Sequence, residues 1–224
     1  MMSNLFMSFE PSSTMLMFQA NWISMIIIFM FLPYMLWMKK SRFNKLWVMM
    51  NSLLIKEFSN LISKKNIMIS SSFLSLFLLI MMNNTTGLMP FIFTASSHLS
   101  FTLPLSLTLW LGYMTFGVMT NLKNMMTHLV PQSTPTPLIP LMVLIETISN
   151  LIRPMTLAVR LAANMIAGHL LMVLMSSMIP QMNLFNSIVM VLIQSALVIL
   201  ETSVSFIQAY VFTILSVLYV SELL

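Results

Sequence analysis

The chain has 224 residues, of which 58% are hydrophobic and 7% are charged, and its formal net charge is +5. A soluble domain of this size could not bury so much apolar surface, since soluble proteins carry about 25% charged residues. The absence of cysteine excludes disulfides, thiolate metal sites and iron–sulfur clusters. The composition therefore indicates an integral membrane protein, and its clustered lysines suit an anionic membrane face better than nucleic acid.

Long charge-free apolar runs predict an all-α membrane protein that forms a single membrane domain, residues 1–224. Each crossing of the hydrocarbon needs about 20 apolar residues, and the runs provide for about five crossing helices. A β-barrel would instead show ten-residue segments of alternating hydrophobicity. The crossing helices are predicted at 15–38, 67–82, 97–120, 138–176 and 183–221.

A basic block follows the first predicted span. Apolar residues such as Trp47, Leu54 and Phe58 recur within it at helical spacing, and lysines and asparagines fill the other side. This pattern predicts an amphipathic helix at 42–65 that lies in the membrane interface, with Trp47 at the depth of the headgroups. A solvated connecting helix is the alternative.

The connections around the third span carry turn and breaker signals. The polar residues 83–87 and Pro90 predict that the second span ends in a turn. We interpret His98, at the start of the third span, as an interfacial histidine, with a role as a ligand as the alternative. Four prolines between residues 131 and 140 forbid a regular helix before the fourth span.

The last two predicted helices are too long for a vertical crossing. At 1.5 Å per residue, the helix at 138–176 would extend about 58 Å, whereas the hydrocarbon is about 30 Å thick. Pro154 can kink this helix. We therefore expect a steeply tilted hairpin that turns at Pro180, a shape suited to contact with a curved or rotating neighbour.

The charges of the loops predict the orientation of the chain. The loops after the first and third spans carry eight of the ten Lys and Arg residues, whereas the loops at 83–96 and 177–182 carry none. The positive-inside rule then places the N-terminus outside, the basic helix inside, and the C-terminus inside.

Arg160 lies in a run that is otherwise almost wholly apolar. A guanidinium cannot lose its proton to escape a low dielectric, and an arginine at membrane depth costs on the order of 3 kcal/mol or more. Arg160 is therefore a functional-site candidate that needs a partner. Glu146 and Arg153 precede it at intervals of seven, so a regular helix places all three on one stripe. For Arg153 the sequence leaves two interpretations, a functional role or a structural one in which it pairs with Glu146 or snorkels.

Further polar residues lie on both predicted long helices. Asn164 lies one turn beyond Arg160, and Glu201 and Gln208 share a face of the last helix. Folding the hairpin at Pro180 brings Arg160 roughly level with the segment 201–208. It leaves two clusters of titratable residues at different depths. The outer half then contains His169 and Glu201, and the inner half contains Glu146 and Glu222.

Two clusters of titratable residues separated by a permanent cation would not make a simple pore. The arrangement can work if a carboxylate on a separate, moving subunit reaches both clusters in turn. The pKa of such a carboxylate would fall beside Arg160, because a nearby cation favours the ionised form, and it would release its proton there. The arginine would also repel protons and block a direct leak. Asn164 and Gln208 can alternatively be structural contacts between helices.

A family resemblance rests on two segments. Residues 145–171 read IETISNLIRPMTLAVRLAANMIAGHLL, and residues 200–222 read LETSVSFIQAYVFTILSVLYVSE. Both closely resemble the a subunits of F-type ATP synthases in their mitochondrial form, and the pattern R-L-x-x-N-x-x-A-G-H is highly specific. The resemblance extends over essentially the whole chain, including residues 129–132.

The resemblance implies a proton-translocating stator subunit that is not itself catalytic and spans the mitochondrial inner membrane. Its N-terminus would lie in the intermembrane space and its C-terminus in the matrix. Its partners would be the ring of c subunits, the peripheral stalk, other membrane-sector subunits and the bilayer, with no cofactor, metal, nucleotide or nucleic acid. The motifs imply that Arg160 is the essential arginine facing the ring, with Asn164 and Gln208 as polar neighbours, His169 and Glu201 as the outer half-path from the intermembrane space, and Glu146 and Glu222 as the inner half-path to the matrix.

Two other classes of membrane protein are alternatives. A redox-complex subunit that holds haem between spans would need facing histidines, and His98 and His169 are the only membrane candidates. A secondary transporter usually shows internal repeats, and none is evident. Nucleotide binding lacks support, because there is no glycine-rich phosphate-binding motif.

Overall fold

The computed structural model describes residues 6, 9–12, 19–27, 41–62, 67–89, 92–130 and 135–223. Within these residues the regular structure is helical and contains no β-strand, which confirms the predicted all-α fold. A short helical turn at Ala20–Ile23 leads into α1. The helices are α1 (Ser24–Ile27), α2 (Arg42–Leu61), α3 (Ile67–Gly87), α4 (Leu99–His128), α5 (Ile139–Met178) and α6 (Leu184–Leu223).

Four described helices are long and apolar enough to cross a membrane. Most of the span predicted at 15–38 lies outside the described residues. The stretches that qualify by length and hydropathy are Met68–Gly87, Leu99–Thr120, Ile139–Met178 and Phe185–Ser221.

The ends of several helices differ from the sequence prediction. The helix predicted at 42–65 ends at Leu61, and residues 63–66 lie outside the described part of the chain. The helix predicted at 97–120 begins at Leu99 and continues to His128. The two long helices predicted at 138–176 and 183–221 run from Ile139 to Met178 and from Leu184 to Leu223.

The predicted turn at residues 83–87 is wrong, because these residues form the last turn of α3. Asn83 Nδ2 donates to the carbonyl oxygen of Leu79 at 2.9 Å, and Thr86 Oγ1 donates to that of Met82 at 2.9 Å. Polar side chains that bond back to the preceding turn can be accommodated in a helix. The sequence shows the polar residues but not this local satisfaction.

The second half of α2 docks on the membrane helices. Ser41 caps the helix, its Oγ accepting a hydrogen bond from the Asn44 backbone N–H at 3.2 Å. Phe58 is fully buried and packs in one cluster with Phe73 of α3 and Val217 of α6. α2 is thereby fixed at the end of the molecule where α3 begins and α6 ends.

The first half of α2 leaves an apolar stripe uncovered by the described residues. Phe43, Leu46 and Met50 recur at intervals of three and four, and each is more than half exposed. Lys45 and Lys56 are exposed on the same helix. This pattern is typical of a helix that lies in a membrane interface.

The main core contains residues of α3, α5 and α6. In it α3 packs against α6, and α6 packs against α5, while α4 lies along α5 and also contacts α6. Pro154 is buried within α5, which remains helical through it. The buried residues of this core are Phe77 and Ile80 on α3, Leu157 and Leu161 on α5, and Ala209 and Phe212 on α6.

One stripe of α5 is not covered by the described part of the chain. Ile148, Ile152, Met155 and Val159 recur along it at intervals of three and four, and between 46% and 50% of each side chain is exposed. We call these four residues the α5 stripe. In a membrane protein such a surface faces lipid or another subunit.

Candidate functional site along the α5–α6 hairpin

Arg160 follows Val159 of the α5 stripe, and its side chain is exposed. Among the described residues, no carboxylate lies within ion-pairing distance of its guanidinium. A permanent cation on the apolar surface of a membrane helix is costly unless something outside the chain pairs with it. The exposed position of Arg160 therefore points to an anionic partner on a neighbouring molecule.

Asn164 and Gln208, two of the predicted site residues, are brought together. Asn164 Nδ2 donates a hydrogen bond to Gln208 Oε1 at 3.1 Å, which links α5 to α6 one turn from Arg160. Gln208 is buried, and its Nε2 has no protein partner among the described residues. The amide pair therefore ties the helices together and leaves one donor for water or another group.

Glu201 lies against the backbone of α5 at Gly168. A Cβ built on Gly168 would lie 2.8 Å from Glu201 Oε1, so the carboxyl group occupies the space that any other residue would fill. Glu201 is only 9% exposed, and both of its carboxyl oxygens lack a hydrogen-bond partner within the described part of the chain. Gly168 lies inside the A-G-H motif, but the sequence alone indicates no role for it.

A cavity of about 180 Å³ lies between α3, α5 and α6. Glu201, Ser205 and Gln208 line it from α6, Asn164 lines it from α5, and Asn84 lines it from α3. Both amide atoms of Asn84 are buried without a partner in the described structure. A cavity of this size with unsatisfied polar atoms can hold several water molecules. We call it the Glu201 cavity.

Asn84 was missed by sequence reasoning. It lies in the segment that was predicted to be a turn, and the only available signal was an amide at the end of an apolar helix.

The described residues contain no group of three or more His, Cys, Asp and Glu side chains that could hold a metal ion.

His169 points to a different neighbourhood from Glu201. Its ring makes an edge contact with Phe9, with 6.1 Å between centroids, and lies within hydrogen-bonding reach of the Gly87 backbone. His169 Nε2 is buried without a partner among the described residues. His169 does not line the Glu201 cavity, so the structure does not place the two residues of the predicted outer half-path in one cavity.

Towards the end of the hairpin that lies opposite the connection, Arg153 contacts Glu146 and Tyr219. Its Nη2 lies 3.8 Å from Glu146 Oε1, and its Cζ lies 5.1 Å from the centroid of the Tyr219 ring. The first contact is the pairing that the sequence offered as one interpretation of Arg153. Tyr219 was not anticipated. The backbone of Glu222 lies in α6, but its side chain lies outside the described part of the structure.

The register of the hairpin differs from the prediction. Asn164 contacts Gln208 and Arg153 contacts Tyr219, so the antiparallel pair is centred near residue 186 rather than at Pro180. Arg160 is therefore level with residues near Phe212, about one turn beyond the predicted segment 201–208.

The polar groups are spread along the α5 axis on both sides of Arg160. At 1.5 Å per residue, Glu146 lies about 21 Å to one side of Arg160, and Gly168, against which Glu201 rests, lies about 12 Å to the other. Titratable groups at membrane depth mark proton relays. The arrangement therefore places titratable groups on both sides of a fixed positive charge.

Comparison with known proteins yields consistent matches. The sequence model of the family described as ATP synthase A chain matches residues 18–221. ATP synthase subunit a of Locusta migratoria is 48% identical over 223 residues, which cover 99% of each chain. The subunits of the same name from Anopheles quadrimaculatus and Drosophila melanogaster are each 48% identical over 226 residues, again with 99% of both chains covered.

Proposed function

This chain belongs to the ATP synthase A chain family, and we propose that it provides two offset proton half-paths against a rotating ring of c subunits. It is a membrane-sector subunit of an F-type ATP synthase and a multi-pass protein of the mitochondrial inner membrane. Because the chain belongs to this family, we reject the two alternatives that the sequence left open, a redox-complex subunit and a secondary transporter.

The exposure of Arg160 beside the α5 stripe is the observation that carries this proposal. A c subunit that brings a carboxylate to this surface would supply the missing anion. Beside the guanidinium the ionised carboxylate is favoured, and the pKa of such a carboxylate falls. Arg160 would thus hold each arriving carboxylate in its ionised form until a proton reaches it from one half-path.

The outer half-path would deliver that proton. Water in the Glu201 cavity can connect Glu201 with the open amide donor of Gln208, which lies near the level of Arg160. His169 would act on the intermembrane side of this cavity, with its buried Nε2 available for a proton. Once protonated, the ring carboxyl group is neutral and can move through lipid, whereas the ionised form cannot cross a low dielectric without a large cost.

The inner half-path would release the proton after the ring has turned. Glu146, with Glu222 at the inner end of α6, would accept it and pass it to the matrix. Because the outer and inner groups lie on opposite sides of Arg160 along α5, a proton could pass between them only on the ring. The loop charges support an N-terminus in the intermembrane space and a C-terminus in the matrix.

The proposed role implies which subunits the chain contacts and which step it does not perform. The ring of c subunits would face Arg160, and the peripheral stalk and other membrane-sector subunits would hold the chain against rotation. We propose that the chain is not catalytic by itself and binds no nucleotide or cofactor. ATP would be formed elsewhere in the complex.

Substitution of Arg160 tests the proposal in the assembled complex reconstituted into sealed vesicles. We expect Arg160→Lys and Arg160→Ala to stop ATP synthesis driven by an imposed proton gradient. Lysine keeps a charge but lacks the planar fork of the guanidinium, whereas alanine removes the barrier and should also allow a passive proton leak. Met119→Leu, at an exposed position on α4, is the control. Substantial coupled synthesis by the Arg160→Ala complex would overturn the proposal.

A further inference from the structure

Arg153 is placed to connect the two long helices at the inner end of the hairpin. Its guanidinium contacts Glu146 on the same helix, at 3.8 Å, and the Tyr219 ring on α6, at 5.1 Å. The contact with Glu146 lies within α5 and would not by itself hold the Glu146 carboxylate against α6. Because Arg153 also contacts the Tyr219 ring, it links the Glu146 carboxylate to α6.

The geometry suits arginine specifically. Glu146 and Arg153 are 39% and 34% exposed, and an ion pair between two flexible, partly exposed side chains holds them only weakly. A planar guanidinium can lie over an aromatic face and still direct an N–H toward a carboxylate. A lysine ammonium could keep the charge but not this combination of contacts.

Tyr219 also lines a second, smaller cavity of about 20 Å³ beside Pro154. Ser106 and Tyr113 of α4 and Ser216 of α6 contribute to its lining, and the volume is enough for about one water molecule. The ring and the hydroxyl of Tyr219 could therefore have separate roles. Only the ring is needed to hold Arg153, which makes the two roles separable by substitution.

We propose that Arg153 is a positioning residue that holds the Glu146 carboxylate beside α6, with the Tyr219 ring as its platform. This inference rests on the proposed function, because it assumes that Glu146 carries protons in the inner half-path. Arg153 does not transfer the proton itself. It keeps the accepting carboxylate at a fixed distance from the helix that borders the path.

The test measures proton-driven ATP synthesis by complexes that carry single substitutions, with assembly checked by the yield of intact complex. Arg153→Gln and Tyr219→Leu should each lower the rate by roughly tenfold. This is less than the roughly 100-fold that a misplacement of a positioned group by about 1 Å can cost, because Glu146 keeps its place on α5. Tyr219→Phe keeps the ring and should retain the normal rate. Arg153→Lys keeps the charge and should give an intermediate rate. Phe185→Leu, at an exposed aromatic position on the same helix, is the control.

Combined substitutions separate positioning from general structural damage. Because both variants break one contact chain, Arg153→Gln combined with Tyr219→Leu should be no slower than Arg153→Gln alone. Additive losses would overturn the proposal, as would a loss of rate in Tyr219→Phe equal to that in Tyr219→Leu. In the latter case the hydroxyl of Tyr219, and not its ring, would be the important feature.

Glu146→Gln distinguishes a failure of this inference from a failure of the proposed function. A normal rate in the Glu146→Gln complex would mean that Glu146 is not in the inner half-path, and both the path assignment and the inference would fall. A severe loss in Glu146→Gln together with normal rates in Arg153→Gln and Tyr219→Leu would leave the path intact and overturn only the positioning role of Arg153.

Discussion

The carboxyl group of Glu201 rests so closely on Gly168 that a Cβ at Gly168 would lie 2.8 Å from Oε1 and 2.9 Å from Cδ. The atoms in conflict are the far end of a flexible side chain rather than backbone. An added methyl group would therefore displace the carboxyl group without forcing α5 and α6 apart. The position of the acid, and not the packing of the hairpin, depends on this glycine.

We predict that Gly168→Ala lowers proton-driven ATP synthesis by roughly tenfold or more while the complex still assembles, because the carboxyl group leaves its place in the path. Gly112→Ala is a matched control, since a Cβ at Gly112 would meet nothing within 4 Å. Glu201→Asp, whose side chain is shorter, should partly restore the rate in the Gly168→Ala background. A normal rate in Gly168→Ala, or a loss just as large in Gly112→Ala, would contradict this account.

The pairing of Arg153 with Glu146 is the contact that helical periodicity offered, because a spacing of seven places both residues on one stripe of a helix. Asn164 and Gln208 were expected to be polar neighbours of Arg160 from the family resemblance and not from periodicity. The structure joins these two residues by a hydrogen bond one turn from Arg160.

Other features depend on packing that no periodicity encodes. The register of α5 against α6 depends on how their side chains pack, and Arg160 lies about one turn from its predicted level. The neighbours of His169 come from remote segments, namely Phe9 and the Gly87 backbone. The close approach of Glu201 to Gly168 is equally invisible in the sequence, because it depends on the rotation of both helices about their axes.

The docking of α2 gives a prediction about stability. Phe58 is fully buried between α2, α3 and α6, whereas Phe43 on the same helix is 66% exposed. Phe58→Ala should weaken the attachment of α2 by about 3–5 kcal/mol, the usual cost of removing a buried phenylalanine side chain. Faster hydrogen exchange along α2 in the detergent-solubilised complex would report this loss. Phe43→Ala should leave the exchange unchanged, and equal effects of the two substitutions would refute the docking role of Phe58.

The orientation of the chain can be tested cleanly because the sequence contains no cysteine. Single cysteines at Asn60, exposed near the end of α2, and at Met182, exposed between α5 and α6, should label from opposite sides. We predict that an impermeant thiol reagent reaches Met182→Cys from the intermembrane side and Asn60→Cys from the matrix side. Lys64 and Lys65, outside the described residues, should also lie on the matrix side. The reverse labelling would exchange the inner and outer half-paths.

Glu201 and His169 are the two titratable residues of the proposed outer half-path. Glu201→Gln keeps the size and much of the hydrogen-bonding capacity of the side chain but cannot release a proton. We expect it to lower proton-driven synthesis severely, by about 100-fold or more, as is typical when a positioned proton carrier is removed. Ser203→Ala on the same helix, where the hydroxyl bonds only its own preceding turn at Leu200, should have the normal rate.

His169 should respond differently from Glu201, because it lies outside the Glu201 cavity and water can still reach the acid from that cavity. We predict that His169→Gln slows synthesis less than Glu201→Gln and that raising the proton concentration on the intermembrane side partly restores its rate. No such restoration should occur in Glu201→Gln, where the carrier itself is lost. A His169→Gln complex that is as inactive as Glu201→Gln at every proton concentration would mean that protons reach Glu201 only through the histidine, and the cavity would not be a route for protons in its own right.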